Sequence, residues 1–123
     1  MKKILLIEDD LDLAELYEEV LSTKYTVEVA GDGKQGLELA KKSKPDLILL
    51  DILLPEMNGF ELLKVLKKDP ETKDISVVIL TNLGSKHVDE DKKLALLLGA
   101  EDYLVKAHHQ PQEIVEKISS YLE

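Results

Sequence analysis

The sequence contains no cysteine and no tryptophan, and aromatic residues make up only 4% of its 123 residues. Without cysteine, neither a disulfide framework nor thiol chemistry is available. No apolar stretch approaches the roughly 20 residues that a membrane-spanning helix needs. The start, Met-Lys-Lys followed by four apolar residues, is too short for a signal peptide. We therefore expect a cytoplasmic protein that does not insert into a membrane.

The charge is strongly acidic, with a formal net value of −9. A nucleic-acid-binding surface requires a basic stripe, so direct binding to nucleic acid is not expected. The three histidines, His87, His108 and His109, lack the further ligands of a metal centre, and we interpret them as solvated surface residues. The apolar fraction of 44% is that of a globular protein, and the length fits one domain over residues 1–123.

Short apolar runs alternate with stretches of helical periodicity along the whole chain. Strands are predicted at 3–8, 25–30, 46–51, 75–81 and 102–106, and helices at about 10–22, 33–43, 58–68, 85–98 and 111–122. Alternating strands and helices with short connections predict a parallel sheet covered on both faces. The fold class is therefore α/β, a three-layer, doubly wound, five-stranded parallel sheet.

Local signals support several of these helix boundaries. The first helix has an apolar stripe made of Leu13, Leu16, Tyr17, Val20 and Leu21. Asn58 with Glu61 predicts a capping box at the start of the third helix. Gly99 fits the C-terminal cap of the fourth helix, and Pro111 fits the first turn of the fifth.

Chemically reactive side chains follow four of the predicted strands. They are the pair Glu8-Asp9, the acid Asp51, the hydroxyl Thr81 and the cation Lys106. Because the carboxyl ends of parallel strands share one edge of the sheet, we expect these side chains to converge. Clustered acids with a hydroxyl and one cation predict a metal and phosphoryl site.

Each of these residues also has a simpler explanation. Asp51 could cap a helix, although Asn58 already fills that position for the third helix; Thr81 could bond local backbone. Lys106 could form a structural ion pair in the resting state. A carboxylate placed beside Glu8-Asp9 would be repelled unless a divalent cation intervenes. Oxygen ligands without His or Cys favour Mg²⁺, with Mn²⁺ as a substitute, over zinc.

Together, these residues resemble the receiver domain of a two-component response regulator. The similarity covers essentially all 123 residues and includes Glu8-Asp9, Asp51 within Asp-Ile-Leu-Leu-Pro-Glu-Met-Asn-Gly, Thr81, and Lys106 within Asp-Tyr-Leu-Val-Lys. The resemblance implies a flavodoxin-like sheet with strand order 2-1-3-4-5. It also implies phosphoryl transfer from a phosphohistidine to Asp51 in a Mg²⁺-dependent reaction.

The resemblance assigns further roles within the site. Asp9 and Asp51 would bind the metal directly, Glu8 would act through water, and the backbone carbonyl of Leu53 would be another ligand. Lys106 would neutralise charge on the phosphoryl group, Thr81 would hydrogen-bond one of its oxygens, and Tyr103 would turn inward behind Thr81. Such a protein is a phosphoacceptor with slow autodephosphorylation and not a turnover enzyme.

The implied partners are a sensor histidine kinase or a histidine phosphotransfer protein, and a downstream target that binds the face formed by helix 4, strand 5 and helix 5. We expect kinase docking near Leu11 and Ala14 on the first helix, with residues 108–110 on the rim. With a helix that ends at Leu122-Glu123, a single-domain regulator is favoured over an excised receiver.

The chain departs from the family pattern at two positions. Asn82 replaces a small residue after Thr81, and Ala107 replaces the proline that follows the lysine in a cis linkage. Because a cis bond before a residue other than proline costs about 2.5–4 kcal/mol, we predict a trans Lys106–Ala107 peptide. Apolar Leu53 and Leu83 cannot orient an attacking water, which predicts a slowly hydrolysed acyl phosphate.

Rival functions are less compatible with the same residues. A phosphoaspartyl hydrolase of the haloacid dehalogenase kind needs a second Asp two residues after the nucleophile, where this chain has Leu53. A flavodoxin-type flavin binder needs a phosphate-binding loop where this chain has Glu8-Asp9. A degenerate receiver that acts only as a protein-docking module remains the main alternative.

Overall fold

The computed structural model describes residues 1–81 and 88–122. Within them the chain forms strands β1 (Lys3–Ile7), β2 (Thr26–Ala30), β3 (Leu47–Leu50), β4 (Ser76–Thr81) and β5 (Asp102–Val105). The helices are α1 (Leu11–Leu21), α2 (Gly33–Ser43), α3 (Gly59–Lys68), α4 (Val88–Leu97) and α5 (Pro111–Leu122), and a 3₁₀ turn covers Lys106–His108. The predicted start of the fourth helix, at residues 85–87, lies outside the described residues.

The five strands form one parallel sheet in the order β2-β1-β3-β4-β5. The predicted fold class and strand order are confirmed. The central strand β3 is fully buried, as expected of a parallel strand covered on both faces.

Alternate strand residues divide the core into two layers, because successive side chains of a strand point to opposite faces. One layer contains Leu5, Ile48 and Ile79 and packs against α2, α3 and α4. The other contains Leu6, Leu49 and Leu104 and packs against α1 and α5. Tyr103 therefore belongs to the α4 side of the sheet, and Lys106 leaves β5 on the α1 side.

Helix termini follow the local sequence signals. The Asp10 carboxylate caps α1 by accepting from the backbone N–H groups of Asp12 and Leu13. After α4, Gly99 has φ +107°, and the N–H of Ala100 donates to the carbonyl of Ala95 at 2.9 Å. This is the left-handed ending that the glycine predicts. Pro111 is the first residue of α5, as predicted.

Three details differ from the sequence predictions. Leu16 is 42% exposed although it was placed in the buried stripe of α1, because that helix buries only a narrow face through Ala14, Tyr17 and Leu21. Asn58 caps α3 by accepting from the N–H of Phe60, but no reciprocal bond from Glu61 is present among the described residues. Lys106 begins the 3₁₀ turn and does not end β5.

No helix in the described part of the chain is long and apolar enough to cross a membrane. The longest of the described helices, α5, has 12 residues, whereas a span of the hydrocarbon core takes about 20.

Candidate functional site: an acidic cluster with one lysine

Two of the acids lie directly after neighbouring strands. The backbone N–H of Glu8 donates to the carbonyl of Ala30 at 3.0 Å, and that of Asp51 donates to the carbonyl of Ile7 at 3.1 Å. These bonds extend the sheet ladder by one residue, which fixes where each side chain leaves the backbone. Glu8 and Asp51 are buried, with 2% and 7% of their surface exposed, whereas Asp9 is exposed.

Lys106 brings a positive charge from the end of the edge strand β5, on the same α1 side of the sheet as Glu8 and Asp51. Its Nζ donates a hydrogen bond to Oε1 of Glu8 and lies 3.5 Å from Oδ2 of Asp51. The residue is only 8% exposed. The same Nζ lies 5.7 Å from the ring centroid of Tyr17 on α1. The ammonium thus has two carboxylates and one aromatic face around it.

The cluster carries more negative charge than its lysine neutralises. One carboxylate oxygen each from Glu8, Asp9 and Asp51 lie within 4.8 Å of one another. Burial, followed by contact with Asp51, raises the pKa of Glu8 to about 7, and Lys106 only partly opposes this shift. The second oxygen of Glu8, Oε2, is buried and has no hydrogen-bond partner within residues 1–81 and 88–122.

This donor set fits a hard divalent cation. Three carboxylates supply oxygen ligands, and one of their buried oxygens has unused acceptor capacity. A bound cation would offset the repulsion between Glu8 and Asp51, which adds to the effect of burial on the pKa of Glu8. The exposed Asp9 leaves one side of the cluster open, which suits an ion that keeps several waters.

The loop after β3 orients the Asp51 carboxylate. Its Oδ1 accepts a hydrogen bond from the N–H of Leu53 at 3.1 Å, and its Oδ2 faces Lys106. The N–H of Gly59 donates to the carbonyl of Ile52 at 2.9 Å and ties the start of α3 to this loop. The Leu53 side chain is 54% exposed. That the Leu53 backbone carbonyl binds the metal stays a prediction.

Thr81 and Tyr103 lie on adjacent strands. Thr81 is fully buried at the last position of β4, where it pairs in register with Val105 of β5. Tyr103 is 4% exposed, so its ring already points inward, and its hydroxyl has no hydrogen-bond partner among the described residues. Burial and then the nearby Asp91 charge raise the pKa of Tyr103 to about 12.

Other predicted features lie outside this cluster. His108 is exposed, and Nδ1 of His109 lies 3.9 Å from the Glu113 carboxylate, so neither histidine belongs to the metal cluster. No cis peptide is present in the described segments, so the predicted trans Lys106–Ala107 bond is confirmed. Asn82, Leu83 and His87, for which predictions were made, lie outside the described residues.

The prediction of a kinase-facing surface on α1 is wrong for one of its two residues. Leu11 is 80% exposed, but Ala14 is buried at 4%. The helix turns Ala14 toward the same core layer as Tyr17 and Leu21. Only Leu11 of the predicted pair is available to a partner.

Two residues of the site have roles that the sequence patterns did not indicate. The sequence pattern indicated Tyr17 only as a core residue of the α1 stripe, but in the structure its ring faces the ammonium of Lys106. In the sequence, Gly59 was noted only as the last residue of the Asp51 motif, but in the structure it packs against the Asp51 backbone. The glycine that follows the helix-capping Asn58 was the one local signal that two backbone segments approach each other closely here.

Comparison with known proteins identifies the family. The sequence model described as "Response regulator receiver domain" matches residues 4–119. The chain is 42% identical over 123 residues to the transcriptional regulatory protein CpxR of Escherichia coli strain K12, covering 99% of this chain and 50% of CpxR. The chain belongs to the response regulator receiver domain family. It spans about half the length of the curated relatives that it matches.

Solved structures of the family have the same fold. The BeF3-activated N-terminal receiver domain of Klebsiella pneumoniae RstA matches with a TM-score of 0.87 and 32% identity, covering 98% of each chain. The Mn(2+)-bound form of response regulator Rcp1 matches with a TM-score of 0.81 and 30% identity, covering 99% of this chain and 94% of Rcp1.

Proposed function

We propose that this receiver domain accepts a phosphoryl group on Asp51 from a phosphohistidine of a sensor histidine kinase or a histidine phosphotransfer protein. The supporting observation is the position of Asp51. Like Glu8, Asp51 is buried, contacts Lys106 and belongs to the acidic cluster, but its carboxylate is also oriented by the hydrogen bond from the Leu53 N–H. The protein would act in the cytoplasm as a phosphoacceptor that switches between two states, and not as an enzyme with turnover.

The transfer requires one bond to form and one to break. A carboxylate oxygen of Asp51 attacks the phosphorus, the P–N bond of the phosphohistidine breaks with its electron pair going to the imidazole, and the released nitrogen takes a proton from water. Asp51 then carries a mixed anhydride. The hydrogen bond from the Leu53 N–H to Oδ1 restricts rotation of the nucleophile, and such positioning accounts for much of the catalysis of phosphoryl transfer.

Charge neutralisation is the other requirement of this chemistry. Lys106 is 3.5 Å from Oδ2 of Asp51 and is held near the place where phosphoryl oxygens would develop negative charge. Thr81, at the end of β4, would donate its hydroxyl proton to one of these oxygens. The three carboxylates would otherwise repel the incoming phosphoryl group.

We further propose that the cation of this site is Mg²⁺ and that Mn²⁺ can replace it. Oxygen-only ligands favour these ions, and the buried Oε2 of Glu8 is an unused acceptor. Asp9, Asp51 and the Leu53 carbonyl would bind directly, and Glu8 would bind through water. When bound, the ion neutralises the carboxylates and the phosphoryl oxygens.

The output surface that we propose is formed by α4, β5 and α5. Tyr103 connects the site to this surface, because it lies on β5 and packs on the α4 side of the sheet. On α4, Leu94, Leu96 and Leu97 are exposed by 42%, 45% and 84%. A shift of Thr81 toward the phosphoryl group would let Tyr103 and α4 rearrange together, as in other two-state switches.

Phosphorylation by a small-molecule donor tests the proposal directly. The protein is incubated with acetyl phosphate and MgCl₂, and intact mass is measured. We expect one added phosphoryl group in the parent and none in Asp51→Asn. Asp10→Asn is the matched control, because Asn caps a helix as well as Asp does and Asp10 lies beside the cluster.

Two results would contradict the proposal. A phosphoryl group gained by Asp51→Asn would show that another residue is the acceptor. A parent protein that never gains mass, with either the small donor or a phosphorylated histidine phosphotransfer protein, would favour the alternative of a docking module without phosphoryl chemistry.

A further inference from the structure

We infer that Tyr17 is a positioning residue of the phosphoryl site, whose ring holds the ammonium of Lys106 in place while the charges around that ammonium change. This inference rests on the proposed phosphorylation of Asp51. The observation behind it is the 5.7 Å distance between Nζ of Lys106 and the ring centroid of Tyr17, both residues being buried. That distance is within the range in which a cation is attracted to an aromatic face.

The two carboxylates that pair with Lys106 both change during the reaction. Asp51 becomes an acyl phosphate, and Glu8 would become an outer ligand of the bound cation. Among the described partners of Nζ, only the Tyr17 ring takes no part in metal binding or phosphoryl transfer, so its charge does not change. It is therefore the contact that can hold the ammonium beside the phosphoryl group after its ion pairs are broken.

The fold keeps the ring itself fixed. Tyr17 is 4% exposed and belongs to the core layer under α1, together with Ala14 and Leu21. Lys106 leaves β5 on this same side of the sheet, because it is two residues after Leu104 of that layer. Its position in the 3₁₀ turn, outside the sheet ladder, makes a side-chain anchor more important for placing Nζ.

Burial alone does not require an aromatic residue at position 17. The neighbouring stripe position, Leu21, is fully buried and aliphatic. A leucine at position 17 would retain apolar burial but offer no negative face to the ammonium. The comparison of Tyr17→Leu with Tyr17→Phe therefore separates packing from the ring, because phenylalanine keeps the face and removes only the hydroxyl.

The first measurement is the rate of phosphorylation by acetyl phosphate at saturating MgCl₂, counted per folded molecule. We expect Tyr17→Phe to react at close to the parent rate and Tyr17→Leu to react about two- to tenfold more slowly, as expected for loss of one cation–π contact. The Mg²⁺ affinity should be unchanged in both. Tyr25→Leu is the control for a tyrosine lost from the same core layer without contact to Lys106.

The second measurement needs no substitution. Protons on Cε of Lys106 should show an upfield NMR shift from the Tyr17 ring current. This shift should persist when Asp51 is phosphorylated or carries beryllofluoride with Mg²⁺. It should also persist in Tyr17→Phe and disappear in Tyr17→Leu.

Several results would overturn the inference. The first is an unchanged phosphorylation rate in Tyr17→Leu, and the second is equal slowing of phosphorylation in Tyr17→Phe and Tyr17→Leu. The third is loss of the ring-current shift when beryllofluoride binds. Should the parent fail to accept a phosphoryl group, the proposed function would fail. The ring-current shift of the parent with and without Mg²⁺ and beryllofluoride would still decide whether Tyr17 holds Lys106.

Discussion

Gly59 packs directly against the backbone of Asp51. A Cβ atom added at Gly59 would lie 2.5 Å from the carbonyl oxygen of Asp51 and 2.6 Å from Cα of Ile52. Both neighbours are backbone atoms, which cannot move aside as a flexible side chain can. The first turn of α3 thereby fixes the loop that carries the phosphoacceptor candidate.

Replacing this glycine should damage the site through the backbone. We expect Gly59→Ala to lower the free energy of unfolding by about 1–3 kcal/mol, as overpacking does, and to slow phosphorylation of the folded protein. Urea denaturation and intact mass after acetyl phosphate treatment measure the two effects. Gly31→Ala is the control, because an added Cβ there meets only the Gln35 side chain at 3.8 Å. Equal stability of both variants would disprove the tight contact.

Removing Asp9 tests the metal site. This acid is exposed yet contributes an oxygen to the cluster of three carboxylates. We expect Asp9→Ala to weaken Mg²⁺ binding by about tenfold or more, the loss that even outer-shell partners of a metal produce. The metal-free variant should fold as well as the parent or better, because like charges are fewer. Calorimetric titration with MgCl₂ measures the affinity, and Asp12→Ala, exposed outside the cluster, serves as control. An unchanged affinity in Asp9→Ala would rule out this cluster as the Mg²⁺ site.

Glu8 should make the metal-free protein less stable as the pH rises. Burial and then contact with Asp51 raise its pKa from the usual 4.5 to about 7 in the folded protein. Between these values the folded state binds the Glu8 proton more tightly than the unfolded state does. The free energy of unfolding therefore falls as the pH rises from about 4.5 to 7, by about 1–3 kcal/mol.

Glu8→Gln should lack this part of the pH dependence, because glutamine does not titrate. Urea midpoints at pH 5 and pH 7.5 in the presence of a chelator compare the two proteins. Addition of MgCl₂ at pH 7.5 should restore much of the stability of the parent by neutralising the cluster. The same pH slope in Glu8→Gln and in the parent would contradict the assigned origin of the effect.

Leu53 should prolong the lifetime of the phosphorylated form. Its side chain is 54% exposed two residues after Asp51 and offers no group that could orient water. We expect Leu53→Asn to lose phosphate several-fold faster, a smaller effect than the factor of about 100 that a positioned general base provides. Decay of the phosphorylated mass after removal of the donor measures the rate. Leu97→Asn, at an exposed position of α4, is the control. Equal decay in the parent and in Leu53→Asn would refute the idea.

The sequence predicted the helices and strands well because their signals are local. Each strand was placed within one residue at either end, since apolar runs between turn residues define buried parallel strands. The burial of Leu16 was predicted wrongly because periodicity gives the direction of a helix face but not its width. The same limit applies to Ala14, whose small side chain is buried where a partner surface was expected.

Of the site, the sequence by itself determined which side chains reach the carboxyl edge of the sheet. Glu8, Asp51 and Thr81 follow or end buried strands, and the parallel arrangement leaves them no other edge. The tertiary structure alone decided how they meet. Lys106 pairs with Glu8 across 98 positions of sequence, Tyr17 faces the same ammonium, and Gly59 supports the Asp51 loop. Such contacts depend on how helices pack on the sheet, and no local pattern of residues specifies distances between segments that meet only after folding.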